Sequence, residues 1–171
     1  LDLTLVYKVP KFKRFVRPVC IKCADHDGSI QGLPTEDCSL ESARRRITLA
    51  SKLLQAFTAE KMCEHGLGRK TFVLEHDVDS AAPTCHVFTT KLTYAEVHAM
   101  DGGDLWLYFA KEFMGSKVFT DKDKCKWYTF MSFTRYMPPE GVLPRSHSDV
   151  MRFTKGHTAL GGGGLALFGT G

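Results

Sequence analysis

The sequence lacks most of the features that would assign a protein to a class at once. It has no apolar run approaching the ~20 residues that a membrane-spanning helix needs. Its formal net charge is only +4, which is too small to require an anionic partner. With 43% hydrophobic and 25% charged residues, the composition also excludes disordered and collagen-like chains. The 171 residues are therefore expected to form one globular domain with its own hydrophobic core.

Cysteine is too sparse for a disulfide scaffold. The six cysteines are spread over a chain that is long enough to be stabilised by burial alone. We therefore expect reduced thiols and an intracellular, cytoplasmic protein. The sequence begins with Leu1 rather than Met, so we expect the native N-terminus to lie upstream. The absence of a secretory signal consequently carries no weight.

The common catalytic motifs are absent as well. The sequence contains no G-x-S-x-G, no phosphate-binding G-x-x-x-x-G-K-[ST] and no G-x-G-x-x-G. None of its seven histidines stands in the H-E-x-x-H arrangement that places two zinc ligands one helical turn apart. Asp77 and Asp79 form a D-x-D that we interpret as a turn, because no third magnesium ligand accompanies it. Cys38 or Cys63 acting as a nucleophile with a remote histidine remains an alternative without a local signature.

Two local clusters admit a binding function. Cys20 and Cys23 form a C-x-x-C near His26 and Cys38, but zinc sites of this kind use a second close pair. In a strand the first two would point to opposite faces, so we interpret them as structural, with a four-ligand zinc site as the alternative. The second cluster, Lys8–Arg17, interleaves basic residues with aromatic ones. It predicts either a solvated strand edge or, as the less favoured alternative, a nucleic-acid surface.

Periodicity predicts two main helices. Apolar residues recur at three- and four-residue steps from Ser39, a possible N-cap, to about Gly66. Thr93 and Glu96 form a capping box, so a short helix should begin at Tyr94. Gly102 and Gly103 should interrupt that helix, Asp104 should cap the next one, and Gly115 should end it. The expected core residues are Leu40, Ala43, Ile47, Ala50, Leu54 and Phe57 in the long helix, and Leu105, Phe109 and Phe113 in the later one.

Strands alternate with these helices. Lys126–Tyr136 has aromatics on both faces, which is typical of an inner strand covered on both sides. Met137–Val150 is Pro-rich and should be a loop. Gly161–Gly164 should be a tight passage into a final buried strand. The fold class predicted is α/β, with a mixed β-sheet covered by the long helix and a second helix. The other expected strands are Leu1–Val9, Val19–Cys23, Thr71–Val78, Cys85–Thr89 and Leu165–Phe168.

Four segments resemble one family. QAFTAEKM (Gln55–Met62) and GLGRKTF (Gly66–Phe72), the T-x-A-E of Thr93–Glu96, and KGHTALGGGGLALFGTG (Lys155–Gly171) are similar to motifs of zinc metallopeptidases known mainly from fungi. The motifs keep the family's order over roughly residues 16–171. The resemblance implies a zincin-like (metzincin-like) N-terminal subdomain at 16–171, preceded by a leading strand and basic segment at 1–15.

The same resemblance implies a function. The family's active helix, of the H-E-x-x-H-x-x-G-x-x-H type, is expected beyond Gly171, so the chain would be truncated before it. Zinc would then belong to the full-length protein, and residues 1–171 would supply no catalytic or metal-binding residue. Peptides or proteins would be substrates, without a membrane partner. The implied site residues are Leu165, Ala166, Leu167 and Phe168, a strand bordering the substrate cleft, and His157, a family-motif residue that we interpret as structural, with a role near the site as the alternative.

Three hypotheses follow from these observations. The first is part of a zinc-dependent metallopeptidase. The second is a non-enzymatic binding module with a degenerate peptidase fold. The third is a nucleic-acid-binding domain that uses Lys8–Arg17.

Overall fold

The computed structural model describes residues 14–30, 34–76, 82–131, 141–143, 145, 159–162 and 164–169. These residues form a single six-stranded sheet with helices on both faces. The strands are β1 (Phe15–Lys22), β2 (Val73–Leu74), β3 (His86–Thr89), β4 (Cys125–Met131), β5 (Ala159–Gly162) and β6 (Leu165–Gly169), and the helices are α1 (Leu40–Glu64), α2 (Tyr94–Ala99) and α3 (Gly102–Gly115).

The sheet is mixed, as predicted. Its strand order is β2-β1-β4-β6-β5, with β3 also paired to β1. All pairings are parallel except that of β5 with β6. The central position of β4 confirms the inner strand that its two aromatic faces predicted. The α/β fold class is therefore confirmed.

The strands β2 and β3 lie one after the other along the same side of β1 and are separated in the sequence by residues 75–85. β2 pairs with Phe15 and Val16, and β3 pairs with β1 from Val19 onward. The strand predicted at Thr71–Val78 is consequently much shorter than expected. Pro18 of β1 lies between the part that pairs with β2 and the part that pairs with β3. Because proline has no N–H, no backbone donor of β1 is left unpaired at that position.

The helix α1 confirms the longest predicted element. The Ser39 side chain caps it by accepting a hydrogen bond from the Ser42 N–H (3.2 Å). Ala43 and Ile47 are buried against the sheet, as expected. The expectation fails in the second half of the helix, where Leu54 is 38% and Phe57 59% exposed.

The caps of the two later helices differ in how well the sequence predicted them. The capping box of Thr93 and Glu96 is formed, and α2 begins at Tyr94 as expected. The prediction that Asp104 caps the next helix is wrong. Asp101 is the cap, because its Oδ1 accepts hydrogen bonds from two backbone N–H groups of the first turn (2.7 and 3.1 Å). The two glycines of that turn therefore start α3 instead of interrupting a helix.

The sheet separates two clusters of buried side chains. On one face, Leu105, Phe109 and Phe113 of α3 pack with Trp127, which confirms the predicted face of that helix. On the other face, α1 packs against a smaller cluster that includes Cys20 and Cys85. Cys23 belongs to the first cluster and Cys20 to the second. The two cysteines of the C-x-x-C therefore point to opposite faces, as strand alternation predicted.

Some predictions lie outside the described residues. These are the leading strand Leu1–Val9, the D-x-D of Asp77 and Asp79, and the family-motif residue His157. Most of the Pro-rich loop Met137–Val150 and the end of the strand predicted to reach Tyr136 also fall there. Within the described part of the chain, every helix is too short or too polar to span a bilayer.

Candidate substrate-binding edge

The glycine run forms a hairpin where a single strand was predicted. Gly161 and Gly162 belong to β5, and Gly164 turns the chain into β6 with a φ of 110°. A Cβ at Gly164 would also lie 3.1 Å from Cδ and Nζ of Lys126. The positive φ favours glycine at that turn, and a Cβ would in addition displace the Lys126 side chain. Sequence reasoning missed β5 because glycine has low strand propensity and no side chain to show alternation.

The strand β6 is held firmly at its start. The Gly164 carbonyl accepts a hydrogen bond from the Trp127 N–H of β4 (2.7 Å). The Thr129 hydroxyl donates to the Ala166 carbonyl (2.8 Å). From α3, the Trp106 indole donates to the Leu165 carbonyl (3.0 Å). Side chains from two elements thus fix the backbone of β6.

The residues Leu165–Phe168 are not the outer edge of the sheet. β6 pairs with β4 on one side and with β5 on the other. The segment has no free edge, because the chain first runs along its outer side as β5. That it borders the substrate cleft stays a prediction. Among the described residues, β5 has a strand neighbour only on the β6 side.

The outward groups of β5 follow from strand alternation. Gly164 and Ala166 direct their carbonyls toward β4, so Leu165 and Leu167 direct theirs toward β5. Their partners in β5 are Gly162 and Leu160. The backbone groups of the alternate residues, Ala159 and Gly161, consequently point away from the sheet. They form the open hydrogen-bonding edge among the described residues.

An apolar groove lies on the α1 face beside this edge. It has a volume of about 380 Å³ and is lined in part by Leu54, Phe72, Tyr128 and Ala166. Here α3 covers the opposite face of the sheet, while α1 lies over β1 and β2. A parallel sheet is normally covered on both faces. The groove is therefore a place where the described residues leave β4 and β6 uncovered on one face.

The buried thiols are unsuited to nucleophilic chemistry. All six cysteines are free in the structure. Burial raises the pKa of Cys20 and Cys125 to about 11, and that of Cys23 and Cys85 to about 12. A thiol attacks as its thiolate, so these four are unreactive near neutral pH. Of the sequence candidates, Cys63 is exposed near the end of α1 and Cys38 is half-buried near its start.

The alternative zinc cluster does not assemble. Cys20 and Cys23 lie on opposite faces, and His26 uses its Nδ1 to accept a hydrogen bond from the Gly28 N–H (3.0 Å). The described residues contain no group of three His, Cys, Asp or Glu side chains that could hold a metal ion. They therefore do not fit a zinc centre of their own.

The last residue of the basic segment, Arg17, is part of the structural core. It is 3% exposed and donates from Nε and Nη2 to both carboxylate oxygens of Glu75 (2.7 Å each). His86 Nε2 lies 2.9 Å from the same carboxylate. Arg17 is thus unavailable to a nucleic-acid backbone, and the hypothesis of a binding surface loses this residue. Lys8–Lys13 lie outside the described residues.

Comparison with known proteins identifies the family of the chain. The family model described as "Putative peptidase family" matches residues 1–171. The chain belongs to this peptidase family. Neither a curated protein nor a solved structure matches the chain at a significant level. The assignment to the peptidase family therefore rests on the match over residues 1–171, and the fold rests on the structure described above.

Proposed function

We propose that residues 1–171 are the substrate-binding part of a zinc-dependent metallopeptidase whose zinc ligands lie outside this segment. The family match supports a peptidase. Its motifs resemble those of zinc metallopeptidases, while the sequence contains no H-E-x-x-H and the described residues contain no metal-ligand cluster. Zinc ligands and the general base would therefore come from other residues of the full-length protein.

The observation that carries the proposal is the edge of β5, which the described residues leave open. An extended peptide can add to such an edge through main-chain hydrogen bonds, which bind many sequences with little dependence on side chains. In β5 the outward N–H and C=O groups belong to Ala159 and Gly161. Peptidases need this kind of binding because the substrate must be held extended to expose its scissile bond.

The apolar groove also supports the proposal that residues 1–171 bind the substrate while the zinc ligands come from other residues. Leu54, in the exposed second half of α1, forms part of its wall, and its floor includes Tyr128 and Ala166. An amphipathic helix packed there would cover the uncovered face of β4 and β6. We propose that the helix bearing the zinc ligands occupies this groove. It would then lie under the sheet next to the hairpin that carries β5.

The substitution Gly161→Pro tests the role of β5. Proline removes the outward N–H, whereas it leaves the inward hydrogen bonds of Leu160 and Gly162 to β6 in place. In the full-length protein we expect kcat/KM for an unstructured peptide to fall by about tenfold or more, because a substrate hydrogen bond is lost. Gly161→Ala, which keeps the N–H, is the matched control and should retain most of the activity.

Two outcomes separate the parts of this proposal. If the full-length enzyme is inhibited by a chelator but Gly161→Pro cleaves peptides as well as the parent, the metallopeptidase assignment survives and β5 is not the substrate edge. A second candidate function, a non-enzymatic binding module, is favoured by the lack of catalytic motifs in the sequence. Peptide binding that Gly161→Pro weakens, without any hydrolysis by the full-length protein, would decide for that module.

A further inference from the structure

A second cleft lies on the far side of α1 from the apolar groove. It has a volume of about 330 Å³ and is formed between the first half of α1 and the segment 82–85. We call it the cationic cleft. Its lining includes the polar side chains of Glu41, Arg44, Arg45, Thr48, Lys52 and Thr84.

The charges that line the cationic cleft do not cancel. Its lining contains three cations, Arg44, Arg45 and Lys52, and a single acid, Glu41. Glu41 already pairs with Arg44 at 3.0 Å. Arg45 pairs with Asp37 at 2.9 Å, but Lys52 has no acidic partner among the described residues. The lining therefore carries excess positive charge in a concave site, which concentrates anions.

The floor of the cleft adds no compensating charge. Cys85 lies there, and burial raises the pKa of its thiol to about 12. The thiol is consequently uncharged near neutral pH, and a thiolate cannot neutralise the nearby guanidinium of Arg44. The cleft has no acidic group other than Glu41 in its lining. A bound anion would thus meet two arginines that are each paired with one carboxylate and a lysine, Lys52, that has no acidic partner among the described residues.

Hydrogen bonds hold the Arg44 guanidinium in place without a bound anion. Arg44 is fixed because its Nε donates to the Cys85 carbonyl (3.2 Å) and its Nη1 to Glu41 (3.0 Å). These two bonds leave other guanidinium N–H groups without a bond to either partner. Arg44, Thr48 and Lys52 follow one another at four-residue steps, so they share one side of α1. Across the cleft, the buried Thr84 hydroxyl has no hydrogen-bond partner among the described residues.

We infer that the cationic cleft binds a phosphate-type oxyanion. The arginine, the lysine and the Thr48 hydroxyl supply charge-assisted and neutral donors from separate directions, which suits a tetrahedral anion with several acceptor oxygens. The cleft is larger than one phosphate, so it also has room for a phosphate carried on a polypeptide side chain. This site is separate from β5 and does not depend on the proposed peptidase function.

Titration with inorganic phosphate tests the inference directly. Phosphate should replace chloride at constant ionic strength, with the backbone amide signals of Thr48, Lys52 and Thr84 followed by NMR. We expect saturable shifts with a dissociation constant on the order of 1 mM, as for a small ligand held by few contacts. Lys52→Met should weaken binding by about tenfold, because it removes one charge-assisted contact. A phosphoserine peptide, tested in parallel, distinguishes a carried phosphate from a free one by which of the two binds more tightly.

A matched variant separates a site from general attraction. Lys111→Met removes one exposed charge on α3, on the opposite face of the sheet, and should leave the affinity unchanged. Equal weakening by the two variants would overturn the inference, since it would show attraction to net charge alone. Shifts that do not saturate would overturn it as well.

Discussion

Replacing Arg17 by Met should lower the free energy of unfolding by about 3 kcal/mol, the loss expected when one partner of a buried ion pair is removed. The Arg17 guanidinium binds both oxygens of Glu75 and also donates to the Thr120 carbonyl (3.0 Å). It stacks within 5.3 Å of the ring centroids of Phe15, Phe119 and Trp127. The substitution would leave Glu75 half-buried with His86 as its remaining side-chain partner among the described residues. Urea denaturation of the two proteins measures the difference.

Arg45→Met is the control for this prediction. Arg45 also pairs with a carboxylate, Asp37, but both side chains are more than half exposed. Exposed pairs contribute about 0–1 kcal/mol, so this variant should unfold almost as the parent does. If both arginine variants lost the same stability, the buried network around Glu75 would not be what holds β1, β2 and β3 together.

The network also predicts a pH dependence. Burial alone would raise the pKa of Glu75, but hydrogen bonds and charges from Arg17 and His86 lower it to about 2 from an ordinary 4.5. A depressed carboxyl pKa stabilises the fold above the unfolded value and loses that effect as protons bind to the folded state. The stabilisation should therefore be full above pH 4.5 and disappear as pH falls toward 2. Glu75→Gln should remove this part of the acid dependence.

Phe113→Ala should have a still larger effect, a loss of about 4 kcal/mol in the free energy of unfolding. Phe113 is fully buried, and its ring centroid lies 4.9 Å from that of Phe88 and 5.1 Å from that of Trp127. Removing it opens a cavity at the junction of α3, β3 and β4, where the surrounding aromatic rings cannot collapse into the space. Calorimetry or urea denaturation gives the value.

The neighbouring residue provides the matched control. Met114 follows Phe113 in α3 but is 57% exposed. Met114→Ala should change the stability by no more than about 0.5 kcal/mol, since it removes no buried contact and keeps a good helix former. Similar losses for the two variants would contradict the placement of α3 on the sheet.

The sequence predicted the elements whose signals are local. The capping box of Thr93 and Glu96, the Ser39 cap and the four-residue spacing of Leu105, Phe109 and Phe113 depend only on nearby residues, and all are found in the structure. The inner strand β4 was also predictable, because aromatics on both faces require cover on both sides.

What the sequence did not predict depends on distant partners. β5 is a strand because β6 pairs with it, although half of its residues are glycine. Leu54 belongs to the apolar pattern of α1, yet its burial requires a neighbour that the described residues do not supply. The sequence therefore did not show that β5 runs along the outer side of Leu165–Phe168.

The role of Arg17 was hidden for the same reason. In the sequence it is the last of several basic residues that alternate with phenylalanine. In the structure its partner Glu75 comes from the end of β2, 58 residues later. No local pattern connects these two residues, and only the parallel pairing of β1 with β2 brings them together.

The most direct test of the account is metal and activity analysis of the full-length protein beside residues 1–171 alone. The full-length protein should contain about one zinc ion per chain, because a single catalytic zinc site binds one ion. It should cleave unstructured peptides, and a chelator that removes the metal should stop the cleavage. Residues 1–171 alone should neither cleave peptides nor bind stoichiometric zinc. Tight zinc binding by residues 1–171, or peptide cleavage by the full-length protein that survives complete removal of metal, would contradict the account.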